Sequence, residues 1–204
     1  MSTTSPSDQA ERDPQAALER LLDGNRRFVA DTPHRPNQSM EHRQLLGGGQ
    51  TPFAAVLGCA DSRVSVELLF DQGFGDLFVV RNAGQVLGRG GSAQASIEFA
   101  VEVLGVQVVL VLGHERCGAV SATVDYVKRG ARLPGAMEFL VTLTKHHLDP
   151  EDPARDAVDR HVLGTVQDLL SDSDLVRTAQ EVGRVLVAGG VYDLDDGSVR
   201  LLAS

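Results

Sequence analysis

The sequence is poor in several things, and each scarcity narrows what the chain can be. It has 2 cysteines in 204 residues, too few for the disulfide lattice of a small secreted scaffold. No apolar run approaches the ~20 residues of a membrane span, and the opening MSTTSPSDQAERDP lacks the apolar core of a signal peptide. Basic residues are outnumbered, Lys plus Arg 19 against Asp plus Glu 28 for a net charge of -9, which disfavours nucleic acid or an anionic membrane as partner. The expectation is a cytoplasmic protein with a small or neutral ligand. In a reducing compartment two cysteines weigh toward a metal or catalytic role, the plainer alternative being two buried free thiols.

What is present suits one domain. Residues 1-12 are polar and read as a disordered leader, and 13-204 as a single α/β domain. Asp13 followed by Pro14 marks a helix start, and Leu18, Leu21, Leu22 and Phe28 give that helix an apolar face for which a partner subunit is one candidate. Ser39 caps a short helix that ends at Gly47 to Gly49. Strands follow at FAAVLG, DLFVVR (76 to 81) and VQVVLV. Helices follow over Val64 to Phe70, Ser92 to Leu104, Val120 to Lys128, Val158 to Leu170 and around Val176. Residues 130 to 153 are broken by Gly and Pro. Alternation of this kind implies a mostly parallel β-sheet flanked by helices. Asp196 and Gly197 between apolar runs add an antiparallel C-terminal edge strand.

Ligands collect at the carboxyl ends of parallel strands. Cys59 ends one expected strand and His114 another, and Cys117 lies three residues beyond His114, a spacing that puts both on one face of a helical turn. Cys59, His114 and Cys117 form a Cys2His set that suits zinc and leaves a fourth position open. In CADSR, Asp61 is placed to be a fourth ligand, a proton acceptor or a helix cap. Arg63 is placed to pair with it or to stand as a solvated charge.

CADSR at 59 to 63 with HERC at 114 to 117 resembles the paired CxDxR and HxxC motifs of β-class carbonic anhydrases. The flanks FDQGFGDLFVVRNAG, SIEFAVEVLGV and GVYDLDDG agree, so the resemblance runs from Gln50 to Gly197. It implies Zn2+ on Cys59, His114 and Cys117, one ion per chain, and reversible hydration of carbon dioxide to bicarbonate and a proton by a zinc hydroxide mechanism. Asp61 and Arg63 are the implied catalytic dyad, Asp61 also serving as fourth ligand in a closed state. Gln50, Phe78, Ala83 and Gly118 are the implied substrate contacts, and a homodimer or homotetramer is the implied assembly.

Phe99 stands where the family often has a tyrosine. With no Trp, the subgroup that binds inhibitory bicarbonate beside a tryptophan is a poor match. Two thiolate ligands make a zinc-bound water less acidic than three imidazoles do, so activity is expected to rise above neutral pH. His34, His42, His146, His147 and His161 read as solvated side chains. The rival readings are hydrolysis of carbonyl sulfide or carbon disulfide, a non-catalytic zinc-binding module closed by Asp61, and a redox dithiol.

Overall fold

The computed structural model describes residues 13–203, and the leader expected over 1–12 lies outside the described residues. The helices are α1 (Pro14–Val29), α2 (Met40–Leu45), α3 (Val66–Leu69), α4 (Ser92–Phe99), α5 (Gly118–Arg129), α6 (Glu138–Thr144), α7 (Ala157–Asp172) and α8 (Asp174–Glu181). The strands are β1 (Ala54–Cys59), β2 (Leu77–Asn82), β3 (Val108–His114), β4 (Leu186–Tyr192) and β5 (Val199–Leu202). They form one sheet in the order β2-β1-β3-β4-β5, all parallel neighbours except the antiparallel pair β4 and β5.

β1 and β3 hold the centre because AAVLGC and VVLVLGH bury every residue, as strands covered on both faces must. Side-chain alternation then makes two cores. Ala55, Leu57, Val109 and Val111 pack under α4, α7 and α8, whereas Ala54, Val56, Val108, Leu110 and Leu112 pack under α1 and α3. Among the described residues no helix is long and apolar enough to cross a membrane.

α1 starts as the sequence dictates, with Asp13 accepting from the amides of Gln15 and Ala16. The idea that its apolar face needs a partner subunit is corrected. Leu18 and Leu21 are buried on the chain's own sheet, with Leu22 and Phe28 packed at the margin. Polar contacts hold it there: Arg27 pairs with Asp71 at 2.7 Å. Asn25 donates to the carbonyls of Leu69 and Gly197 and accepts from the Val199 amide, tying the first helix to the last hairpin.

Other boundaries shift for local reasons. The expected helix at Val64 to Phe70 shrinks to α3, because the Val64 amide is already bonded to Asp61 O in a separate turn. The stretch Ser92 to Leu104 is helical throughout, but Ala100–Leu104 widens to a π-helical turn. Within 130 to 153, α6 forms and runs into a 3-10 turn, Lys145–His147. Ser39 caps α2 by accepting from the His42 amide, and Gly197 turns the last hairpin at φ 83°.

Candidate metal centre

The carboxyl ends of β1 and β3 lie side by side, and each releases its chain into a tight turn. His114 and Cys117 do not share a helical turn, contrary to the spacing argument. His114 closes β3, Arg116 adopts a left-handed conformation (φ 52°), and Cys117 is the N-cap of α5. The Arg116 guanidinium is clamped by Asp195 through two bonds of 2.8 Å. This reversal turns Cys117 back toward the strand ends. One ligand atom each from Cys59, His114 and Cys117 lies within 4.8 Å of the others, all three residues being buried.

His114 fixes the character of the cluster. Its Nδ1 is 2.8 Å from Glu115 O, and since a carbonyl only accepts, Nδ1 carries the hydrogen and Nε2 keeps a lone pair. Nε2 is buried without a hydrogen-bond partner, a condition few buried polar atoms tolerate. A divalent ion shared with two sulfurs satisfies it, so the residues fit zinc, with one coordination position left over.

Cys59 Sγ accepts from the amides of Gly84 at 3.3 Å and Asp61 at 3.4 Å. The two thiols titrate as a pair. The hydrogen bond from Cys117 lowers Cys59, with the Gly84 and Asp61 amides assisting against burial. Cys117 is raised by its bond to Cys59 and by burial, while the Val120 and Ala119 amides oppose. One thiolate is favoured by the protein itself, and a cation between the sulfurs favours the second.

Asp61 does not cap α3, whose N-cap is Ser65. Arg63 grips both its oxygens, Nε to Oδ1 at 2.9 Å and Nη2 to Oδ2 at 2.7 Å, and its amide adds a bond of 3.0 Å. The Arg63 side chain and amide hold the Asp61 carboxyl far below the usual carboxylate range. Oδ2 stands 3.7 Å from His114 Nε2, so the carboxylate faces the cluster.

The other expected site residues divide by position. Ala83 follows β2 directly, beside Gly84 and the Cys59 sulfur, and Gly118 opens α5 with free space where a side chain would stand. Gln50 and Phe78 are elsewhere. Gln50 is exposed ahead of the amino end of β1, between Leu46, which packs on Gly75, and Phe53, whose amide bonds Asp76 O. Phe78 pairs in register with Ala55 near the amino ends and packs toward Phe99, ring centroids 6.2 Å apart. A cleft of about 510 Å³ opens beside Cys117 between α5 and the start of α7.

Several supports escaped the sequence reading. Arg81 on β2 donates to Cys59 O and Asp61 O, both at 2.8 Å, bracing the turn after β1. Asn82 bonds the Val86 backbone in both directions and so pins the loop that carries Gly84. Gly84 sits at φ +78°, where a Cβ would lie 2.9 Å from Ala119 Cβ. The expectation of solvated histidines is corrected for two of them. His161 is fully buried with Nε2 2.7 Å from Gly84 O, and the His147 side chain is only 5% exposed. Burial pushes His161 down to about 4 and lowers His147 as well. The available signal was helical phase, since His161 falls between Val158 and Thr165 on the inward stripe of α7.

An unmatched imidazole nitrogen beside two sulfurs, at the ligand-binding end of a parallel sheet, marks the class: an α/β protein with a Cys2His group that could hold a metal ion. Comparison with known proteins narrows it. Residues 54–199 match the carbonic anhydrase family. The chain is similar to carbonic anhydrase 2 of Mycobacterium tuberculosis, 41% identical and covering 90% of each chain. It is also similar to a carbonic anhydrase of Mycolicibacterium smegmatis, at 42% identity over 92% of this chain and 93% of that one. Among solved structures, the Coccomyxa β-carbonic anhydrase in complex with acetazolamide matches with a TM-score of 0.68 and 28% identity, over 92% of this chain and 86% of that one. The chain belongs to the β-carbonic anhydrase family.

Proposed function

We propose that the protein catalyses the reversible hydration of carbon dioxide to bicarbonate, with zinc on Cys59, His114 and Cys117. The observation that carries this is the buried, unpaired His114 Nε2 with the Arg63-gripped Asp61 facing it at 3.7 Å. Zinc in this site supplies a Lewis acid that makes water nucleophilic near neutral pH. Asp61 accepts a hydrogen bond from the attacking water and orients it. Because Arg63 keeps this carboxyl strongly acidic, Asp61 stays ionised throughout and acts as an acceptor, not a proton carrier. Arg63, by engaging both oxygens, keeps Asp61 from becoming a ligand, which supports an open centre over a non-catalytic module closed by Asp61. The amino end of α5 at Gly118 offers amides and a positive dipole end to the bicarbonate anion, and Ala83 lines the approach.

Gln50 and Phe78 lie at the other end of the sheet from their own chain's centre, so they serve a centre in a second copy. β2 supports that arrangement, being an edge strand whose apolar residues are only half-buried, with Phe99 exposed beside it. We assign the enzyme a homodimeric unit, extensible to a tetramer, and a cytoplasmic location.

Stopped-flow hydration of carbon dioxide from about pH 6.5 to 9, on protein of known zinc content, tests the reading. Activity should rise with pH at one zinc per chain, and Asp61→Asn should lower kcat by roughly 10²–10⁴ with zinc retained. Zinc-loaded protein inert at every pH overturns it, and faster turnover of carbonyl sulfide than of carbon dioxide moves the assignment to that hydrolase.

A further inference from the structure

A second cluster of metal-type donors lies away from the first. His146 and His147, in the 3-10 turn after α6, both direct Nε2 at one carboxylate oxygen on α7, Asp168 Oδ2, at 3.2 Å and 3.0 Å. The three ligand atoms lie within 4.8 Å of one another. The two N···O separations are close to the ~3.3 Å edge of a tetrahedron with bonds near 2.05 Å, the geometry of zinc with imidazole and carboxylate.

The hydrogen-bond chain behind the cluster fixes which nitrogens hold lone pairs. His161 Nε2 must donate to Gly84 O, 2.7 Å away, so neutral His161 accepts at Nδ1. The partner there is His147 Nδ1 at 2.9 Å, which must therefore donate. His147 Nε2 is then left as a lone pair, 95% buried by its side chain, aimed at a carboxylate. Two acceptors at 3.0 Å need a positive charge between them. An imidazole that ligates through Nε2 while donating Nδ1–H to a fixed acceptor is the usual supporting arrangement of a metal-bound histidine.

The backbone of α7 is shaped for this ring. A Cβ on Gly164 would stand 2.1 Å from His147 Cδ2, so the glycine provides the slot in which the imidazole lies. Asp168 and His146 are 29% and 49% exposed, which leaves an entry path and an open coordination position on the solvent side.

We propose that His146, His147 and Asp168 bind a second divalent ion of the zinc type, separate from the Cys2His centre. Two imidazoles and one carboxylate make a borderline donor set suited to zinc or copper(II) rather than to magnesium or calcium.

The test uses full-length protein with its first zinc in place, titrated with Zn2+ against a chromogenic chelator, and with Cu2+ followed by electron paramagnetic resonance. Wild type should take up one further equivalent, its copper spectrum showing two coupled nitrogens. His146→Ala, at a half-exposed position where folding is not at risk, should weaken this equivalent at least tenfold and leave one coupled nitrogen. Asp168→Asn should weaken it comparably. No additional equivalent in wild type, or a second equivalent unchanged in both variants, overturns the proposal and leaves a protonated His147 paired with Asp168. The stoichiometry is read independently of turnover, so the result stands whether or not carbon dioxide is the substrate.

Discussion

His114 and His161 are both fully buried, and both serve the loop ends that carry the Cys59 centre. They differ in hydrogen bonding. His161 has a partner on each nitrogen, Gly84 O and His147, whereas His114 has one on Nδ1 and none on Nε2. In this pair burial does not separate the proposed ligand from the brace; the orphaned nitrogen does.

The sharpest way to break this contrast is His114→Ala. It should reduce zinc at the Cys2His centre below one per chain and hydration to the uncatalysed rate while circular dichroism still reports the fold; retention of both that zinc and turnover would make His114 a brace after all. His161→Ala should act on the fold first. It leaves a cavity and strips Gly84 O of its partner, for a loss of roughly 2–5 kcal/mol in urea unfolding, with zinc affinity weakened about tenfold.

Acid should separate the pair next. His161 is held at about 4 by burial, below its ordinary value of 6.5, with His147, His146 and Asp168 facing it. The unfolded chain thus binds the proton first as pH falls. Stability is intact above about 6.5 and declines toward pH 4 by roughly 3 kcal/mol from this group. His161→Gln should flatten that part of the profile, and an unchanged slope would show that other groups carry it. The mildest change is Gly84→Ala, where positive φ and the Ala119 contact should cost about 1–3 kcal/mol, seen as a lower Tm with zinc retained.

Much of this contrast was legible in the sequence on one side only. Strand-end placement and residue chemistry suffice for Cys59, His114 and Cys117, because unbroken apolar runs locate the ends of β1 and β3. The left-handed turn at Arg116 was not legible, since an arginine gives no local sign of positive φ and depends here on Asp195, 79 residues away. Arg81 and His161 were missed for a related reason. Their roles are hydrogen bonds to backbone carbonyls of distant segments, and a carbonyl has no sequence signature. Gln50 shows the limit of a motif: it fixes a residue's spacing but not its place in the fold, which puts Gln50 ahead of the amino end of β1 and Cys59 at the carboxyl end.

Asn25 carries a consequence for how the chain is made. It joins α1 to Gly197 and Val199 across more than 170 residues, and β4 must slot beside β3 before β5 can pair. During synthesis α1 leaves the ribosome well before the hairpin. Leu18 and Leu21 can pack on β1 and β3 early, but the polar clasp of Asn25 has no hairpin to hold until Gly197 and Val199 emerge. The sheet is thus completed only once β5 has emerged, and until then the growing chain is most prone to mispairing along the uncovered edge of β3.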